Sequence, residues 1–286
     1  MKQRRRNEIP FLQFESLSTN GRVEHAVFTR QGGVSPAPFA SLNLSVSVPD
    51  SKRNVYANRS RAYGLYGRDT ATVVHAYLVH GSDVARVTQQ NNGRWVERID
   101  GLITNEPGCA LTMNYADCAP IFLYDPAIQA IGLGHAGWQG AVRDLPGAMV
   151  RVMQAAFGSD PAGLIAAIGP CIGPCCYEVS EPVISAVHSA FGEADTLLVS
   201  AAGDRRPFVP RRQRPRLRTS LRAGSRTDDE HLHFNLPEAN RRNLLRAGVR
   251  HVEMSGFCTG CRTDLFFSHR VEQGRTGRFG AIFILT

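Results

Sequence analysis

Three short motifs each place a residue that can bind a metal at a point where a predicted strand breaks. They contain His80 in "LVHGSD", Cys118 in "NYADCAP" and His135 in "LGHAGW". A small residue or turn former beside each one lets the backbone bend, so that the side chain can point into a cleft. Two histidines and one cysteine leave the fourth tetrahedral position of a zinc ion open for water, whose pKa zinc lowers toward ~7.

The same residues support a competing chemistry. Cys118 and His135 could form a thiolate–imidazole pair for nucleophilic catalysis, and a zinc-bound thiolate would be a poorer nucleophile. Asp117, directly before Cys118, is a further candidate catalytic residue. No H-E-x-x-H motif or second cysteine pair fixes the geometry of the set, and each residue taken singly is more often structural. Both interpretations therefore stay open.

Five other cysteines are expected to be structural thiols. Cys258 and Cys261 in "CTGC" have C-x-x-C spacing, but no second C-x-x-C or histidine pair accompanies them, and we interpret Cys171, Cys175 and Cys176 in the same way. The chain has seven cysteines, an odd number, which indicates reduced thiols rather than a disulfide framework.

Two arginines on predicted turns are candidates for binding an anion. Arg30 precedes the Gly-Gly turn of "FTRQGGVS", and Arg270 ends "FFSHR". A guanidinium group beside backbone amides suits phosphate or carboxylate, and the glycines of "IGPCIGPCCYEV" expose amides to a ligand in a similar way. A surface salt bridge is the alternative for each arginine.

The net charge of +8 does not indicate a nucleic-acid-binding face. Nine arginines fall between Arg205 and Arg226, in a proline-containing stretch that we interpret as a basic, disordered insertion at about 203–230. No apolar run reaches the ~18 residues of a membrane span, and the basic N-terminus lacks the apolar segment of a signal peptide. We therefore expect a cytoplasmic protein without membrane contact, and a nucleic-acid-binding protein that uses the arginine-rich stretch is the less favoured alternative.

The elements that must position these residues alternate between strand and helix patterns. Helices are predicted over 51–66 and in "DLPGAMVRVMQAAFG", "EPVISAVHSAFG" and "HFNLPEANRRNLLRAGV", and a final β-branched strand in "GRFGAIFILT". Strands also flank the breaks at His80, at Cys118 and at His135. This order predicts an α/β or α+β sandwich of mixed sheets, with one domain over residues 1–286.

The chain resembles the YfiH-like, laccase-domain family from about residue 25 to its C-terminus. The motifs that carry the resemblance occur in order as "TRQGGVSPAPFASLNLS", "VHG", "ADCAPIFLYDP", "IGLGHAGWQG", "IGPCIGPCCYEV", "FNLPEANRRNLLRAGV", "CT", "FFSHR" and "GRTGRFGAIFIL". Members have long been described as polyphenol oxidases and later as purine nucleoside phosphorylases. "ADC" with a following proline, "HAGW" and "FFSHR" are jointly its most specific parts.

The resemblance implies a single-domain α/β/β/α sandwich, similar to the deamidase domain of cytotoxic necrotizing factor. It implies a zinc site on His80, Cys118 and His135, and a pocket for purine nucleosides with phosphate as co-substrate. The implied activities are phosphorolysis of adenosine, inosine, guanosine and methylthioadenosine, and hydrolytic deamination of adenosine, by a monomer or homodimer. By motif position, we expect the pocket to be formed by Arg30, Asn43, Tyr177, Glu178, His269 and Arg270.

Copper-dependent phenol oxidation and peptidoglycan editing are also linked to the family, and the residues help to rank these activities. A multicopper centre needs several histidine-rich sites, whereas few of the nine histidines, at positions 75, 80, 135 and 269, lie where a site is expected. Zinc is therefore the favoured metal and copper the less favoured one. A cysteine hydrolase using Cys118 and His135 would suit peptidoglycan editing and is the alternative from another reaction class.

Two positions depart from the family pattern. Family members commonly carry Arg or Lys after the tryptophan of "HAGW", where this chain has Gln139, and Arg143 one helical turn later is the candidate replacement. After "FFSHR" the family often has a second arginine and an acid, whereas Val271 and Glu272 follow here.

Overall fold

The computed structural model describes residues 1–19, 21–192, 194, 196–200 and 231–286. The predicted basic insertion at about 203–230 lies outside the described residues. The α-helices are α1 (Lys52–Gly64), α2 (Trp138–Val142), α3 (Leu145–Phe157), α4 (Glu181–Phe191) and α5 (Leu236–Arg246). Short 3₁₀ helices span Gln89–Asn91 and Pro161–Gly163.

Strands make up most of the remaining regular structure. They are β1 (Lys2–Arg6), β2 (Ile9–Gln13), β3 (Val23–Phe28), β4 (Val74–Tyr77), β5 (Val84–Arg86), β6 (Trp95–Glu97), β7 (Gly101–Thr104), β8 (Ala110–Tyr115), β9 (Ala119–Asp125), β10 (Ala130–Ala136), β11 (Ile165–Ile168), β12 (Glu178–Val179), β13 (Leu198–Ser200), β14 (Leu232–Phe234), β15 (His251–Met254) and β16 (Phe279–Leu285).

These strands form two large mixed sheets and one small one. The seven-stranded sheet has the order β1-β2-β3-β16-β8-β4-β6, and the six-stranded sheet has the order β15-β11-β9-β10-β7-β5. Most neighbours are antiparallel, but β4 pairs in parallel with β6 and β8, β11 with β15, and β5 with β7. A three-stranded sheet, β12-β14-β13, lies outside both.

Side chains that alternate in direction along the central strands show four layers: α1, the seven-stranded sheet, the six-stranded sheet, and helices α2 to α5. In β9, Phe122 and Tyr124 belong to the core shared by the two large sheets, whereas Ile121 and Leu123 pack against the side that carries α2 to α5. In β16, Phe283 faces the shared core and Ile282 packs with residues of α1. Successive side chains of a strand point to opposite faces, so both sheets are buried on both faces. The predicted sandwich of mixed sheets is confirmed.

Two of the predicted helices, α3 and α5, begin at a residue whose side chain caps the first turn. The Asp144 side chain accepts a hydrogen bond from the Gly147 N–H (3.1 Å) at the start of α3, and Gly158 ends that helix with a φ of +76°. α5 begins in the same way, at Asn235, whose side chain accepts from the Glu238 N–H. No helix among the described residues is long and apolar enough to cross a bilayer.

Two of the connections that pass between the large sheets carry candidate ligands. The segment between β4 and β5 leaves the seven-stranded sheet and enters the six-stranded one, and it contains His80. The segment between β8 and β9 makes the same passage and contains Asp117 and Cys118. Two of the three strand breaks noted in the sequence, those at His80 and at Cys118, are therefore crossovers between sheets.

Candidate metal centre and pocket

The three candidate ligands meet where these crossovers pass the end of β10. Donor atoms of His80, Cys118 and His135 all lie within 4.8 Å of one another. The imidazole centroids of His80 and His135 are 5.0 Å apart, with the rings inclined at 75°. His135 is nearly buried, whereas His80 is exposed, so the cluster opens toward solvent on one side. The donor set and its open side fit a three-ligand zinc site.

Gly137 makes room for this cluster. A Cβ atom at this position would lie 2.8 Å from the Sγ of Cys118 and 3.6 Å from the Cδ2 of His80. The first of these contacts is far inside van der Waals distance, so the "HAGW" motif needs glycine after His135 and Ala136 for steric reasons.

Asp100 is a buried residue that holds the His80 segment and the His135 ring in place. The sequence analysis did not identify it. Its fully buried carboxylate accepts hydrogen bonds from the N–H groups of Val79 (3.1 Å), His80 (3.1 Å) and Gly81 (2.7 Å). The same carboxylate lies 2.9 Å from Nδ1 of His135, which leaves Nε2 free for a metal or for Cys118. Such an outer partner fixes the tautomer and orientation of a ligating histidine.

The charges in the site reinforce one another. Burial opposes ionisation of Asp100, but hydrogen bonds from His135 and from backbone amides hold its pKa below the usual value. Burial also opposes ionisation of Cys118, but the neighbouring His135 lowers its pKa to about 6. Conversely, although burial lowers it, the charges of Cys118 and Asp100 raise the pKa of His135 to about 10. A thiolate beside an imidazolium is the result, and either a metal ion or an electrophilic substrate would exploit that thiolate.

Asp117 holds loops together beside the cluster. Its backbone φ is +90°, an unusual value for a residue with a side chain. One carboxylate oxygen accepts from the Thr259 hydroxyl (2.6 Å) and the other from the Arg270 N–H (2.7 Å). Burial raises the pKa of Asp117 despite these bonds. Its catalytic role stays a prediction, and its observed contacts position the segments that carry Thr259 and Arg270.

Basic side chains border the open side. Arg143 donates to the His80 carbonyl at 3.4 Å, so the predicted replacement for the missing cation at Gln139 does lie next to the cluster. Arg278, which the sequence analysis did not single out, lies 3.3 Å from Nδ1 of His269 and is acted on by the charges of Asp117 and Cys118. An arginine directly before the last buried strand was the only signal for it.

Three of the predicted pocket residues form a connected group. The Arg270 guanidinium donates to the Glu178 carbonyl (2.6 Å) and lies over the ring of Tyr177, 5.1 Å from its centroid. Glu178 in turn contacts Nδ1 of His231 at 2.5 Å. Burial and the charge of Arg278 lower the pKa of His269.

Two other predicted pocket residues are used inside the protein. Asn43 has no exposed surface, and its amide contacts Asp50 (2.9 Å) and the Arg278 N–H (2.9 Å). Asn43 thus supports the backbone of Arg278, and its role in the pocket stays a prediction. The Arg30 guanidinium donates to the Ala40 carbonyl and pairs with Glu272 at 2.9 Å, and its phosphate role stays a prediction.

The interpretation of "CTGC" as an isolated pair is wrong. The structure brings Cys258 and Cys261 together with Cys175 and Cys176, and all four sulfur atoms lie within 4.8 Å of one another. These four residues, hereafter the four-cysteine cluster, come from two loops separated by more than eighty residues. The cysteine spacing within either loop could not predict that the two loops meet.

The fold and the site define a sandwich protein with a His₂Cys centre at the passage between its sheets. A family model described as multi-copper polyphenol oxidoreductase laccase matches residues 24–286, and the chain belongs to this family.

Named relatives and solved structures agree with this placement. The purine nucleoside phosphorylase YlmD of Geobacillus stearothermophilus is 36% identical over 259 residues, which cover 87% of this chain and 85% of the relative. YlmD of Bacillus subtilis, also named a purine nucleoside phosphorylase, is 33% identical over 273 residues, covering 92% and 89%.

Among solved structures, the hypothetical protein YfiH of Bacillus licheniformis has a TM-score of 0.82 at 29% identity, over 97% of this chain and 96% of that one. The structure of YlmD from Geobacillus stearothermophilus has a TM-score of 0.81 at 32% identity, again over 97% and 96%. The predicted family and fold class are confirmed.

Proposed function

We propose that the chain is a zinc-dependent purine nucleoside phosphorylase that also deaminates adenosine hydrolytically. The observation that carries the proposal is the convergence of His80, Cys118 and His135 within 4.8 Å at an open, arginine-bordered edge of the sandwich. The names of the two YlmD relatives support the nucleoside and phosphate substrates. Adenosine, inosine, guanosine and methylthioadenosine are the proposed substrates of phosphorolysis.

The ligand chemistry favours zinc over copper. Within the described ranges, the groups of three or more potential ligands are this His₂Cys set and the four-cysteine cluster, and neither offers the histidine-rich sites of a multicopper oxidase. Zinc held by the His₂Cys set would supply a coordinated water that ionises near neutral pH, which suits attack on the purine C6 position.

The protein residues would orient and neutralise the substrates. Phosphorolysis breaks the bond between ribose C1′ and the base by attack of a phosphate oxygen, so the site must hold an anion next to the sugar. Arg270, Arg143 and Arg278 border the cluster and would bind phosphate, and Arg30 is the further candidate from its motif. The imidazole of His269 would hydrogen-bond to the nucleoside, and Tyr177 with Glu178 would shape the pocket.

A second candidate function rests on the ionisation of the same site. Cys118, His135 and Asp100 are arranged as a nucleophile, a base and an orienting carboxylate, and His135 lowers the pKa of Cys118 although burial opposes it. This triad would suit a cysteine hydrolase acting on an amide, which fits peptidoglycan editing.

His80 separates the two candidates, because the zinc enzyme needs it and the hydrolase triad does not. His80 is exposed and has a φ of +60°, a conformation that asparagine tolerates well, so His80→Asn should fold normally. The purified protein is incubated with adenosine, with and without phosphate, and the products are identified. Adenine that forms only with phosphate indicates phosphorolysis, and inosine that forms without phosphate indicates deamination.

We expect His80→Asn to lose the zinc ion of the His₂Cys centre and both activities together. Cys109→Ser, a substitution of a buried cysteine outside both clusters, serves as the control and should retain them. Absence of nucleoside turnover in wild type would contradict the phosphorylase proposal. Amide hydrolysis that survives in metal-free His80→Asn and is lost on alkylation of Cys118 would establish the hydrolase instead.

A further inference from the structure

The four-cysteine cluster has the composition and geometry of a metal site that is separate from the His₂Cys centre. Its ligand atoms are four sulfurs, all within 4.8 Å of one another. The Sγ of Cys261 lies 3.2 Å from that of Cys175 and 3.5 Å from that of Cys176. Four sulfurs at ~2.3 Å from a tetrahedral zinc ion are about 3.8 Å apart, so a small outward movement of these side chains would accommodate the ion.

The two loops are built to keep the sulfurs together. The N–H groups of Cys176 and Tyr177 both donate to the Gly173 carbonyl at 3.0 Å, which makes a tight turn that directs two adjacent cysteines toward Cys261. An isolated parallel bridge joins Cys171 to Cys258 and aligns this turn with the "CTGC" loop.

Backbone groups also favour an ionised sulfur at the buried end of the cluster. The Gly173 N–H donates to Cys258 Sγ at 3.2 Å, as amides commonly do to metal-bound thiolates. A Cβ atom on Gly260 would lie 2.9 Å from the Cβ of Cys176, so the glycine inside "CTGC" is what lets the two loops approach.

A disulfide explains this arrangement less well than a metal. A single disulfide would join two sulfurs at ~2.05 Å and leave the other two sulfurs unbonded. Here one sulfur, that of Cys261, contacts two partners, and a fourth lies within the same radius. Convergence of four thiols on one point is the arrangement of a tetrahedral S₄ ion, for which zinc is the redox-inert choice.

We propose that Cys175, Cys176, Cys258 and Cys261 bind a structural zinc ion. Binding of Zn²⁺ releases the four thiol protons and leaves no coordination position for substrate, so this ion takes no part in the reaction. It ties together two loops that also serve the candidate pocket. Tyr177, which follows Cys176, lies beneath Arg270, and Thr259, which follows Cys258, holds Asp117.

Metal stoichiometry tests the proposal directly. Wild-type protein, expressed with zinc and analysed by native mass spectrometry and elemental analysis, should hold two zinc ions per chain. Cys118→Ser should hold one, Cys261→Ser should hold one, and the double variant none. Cys109→Ser is the matched control and should hold two. Cys261→His should restore the second ion, because Cys₃His sets also bind zinc tetrahedrally.

A measurement on wild type covers the case in which a variant fails to fold. Native protein is treated with iodoacetamide, with and without prior removal of metal by a chelator, and the labelled cysteines are mapped. We expect exposed Cys261 to be protected until the chelator is added, and then Cys175 and Cys176 to be labelled with it. Immediate labelling of Cys261 in protein purified with zinc would overturn the proposal. So would a disulfide among the four cysteines, iron at full occupancy, or a second zinc that persists in Cys261→Ser.

Discussion

Substitution of Asp100 by asparagine should weaken metal binding and the fold together. The Asp100 carboxylate accepts four hydrogen bonds, two on each oxygen: His80 N–H and His135 on Oδ1, and Val79 N–H and Gly81 N–H on Oδ2. An asparagine NH₂ group cannot accept, so either orientation of the amide loses two of the four bonds.

The magnitude follows from the charge and burial of this group. Hydrogen bonds to a charged group contribute about 1.5–3 kcal/mol each, and Asp100 is fully buried, so loss of two bonds should cost about 3 to 6 kcal/mol of unfolding free energy. Loss of the partner that orients His135 should reduce zinc affinity roughly 10- to 100-fold, as for other outer-shell partners of ligating histidines.

The assay compares wild type and Asp100→Asn by urea unfolding of the metal-free protein and by competition for zinc with a chelator of known affinity. Asp264→Asn, which removes an exposed carboxylate paired with Arg262, is the control and should change both quantities little. A zinc affinity within twofold of wild type, with less than about 1 kcal/mol lost in stability, would refute the reasoning.

Two further predictions concern space and pH. Gly137→Ala should abolish zinc binding at the His₂Cys centre, because its Cβ would lie 2.8 Å from Cys118 Sγ; Gly163→Ala, with no atom within 4 Å of the added Cβ, should bind zinc normally in the same competition assay. His25 is buried, and its Nε2 accepts from the Phe14 N–H, so burial lowers its pKa to about 4. Between pH 6.5 and 4 the unfolded chain binds more protons there than the folded one. Unfolding free energy, measured by denaturant titration, should therefore fall by up to about 3 kcal/mol as pH drops through that window. His25→Gln should flatten this slope, and an unchanged slope would contradict the assignment.

The sequence predicted what is encoded locally. The helix ends at Asp144 and Gly158 could be predicted because capping and left-handed glycine signals act over a few residues. The breaks at His80 and at Cys118 were visible because each interrupts an apolar run. That the two breaks are crossovers between sheets was not visible, because strand pairing joins residues distant in sequence.

Interactions across long separations account for what was missed. Asp100 lies 35 residues from His135, and the only hint of it was an acid directly before the buried strand β7. The two halves of the four-cysteine cluster are more than eighty residues apart, so "CTGC" seemed to have no partner. The contacts of Asn43 with Asp50 and with the Arg278 backbone were also not predictable, because they join distant segments, and its role in the pocket stays a prediction. The single domain, the likeness to cytotoxic necrotizing factor and the cytoplasmic location stay predictions.

Because of the crossovers at His80 and Cys118, a metal ion in the His₂Cys centre would cross-link the two large sheets. His80 and Cys118 lie on segments that leave one sheet for the other, and His135 ends a strand of the second sheet. A metal bound to all three resists separation of the layers, so its binding free energy adds to the free energy needed to separate the sheets. Metal release should therefore report the moment of that separation on heating. Once the two sheets have separated, His80, Cys118 and His135 no longer lie close enough together to bind one metal ion.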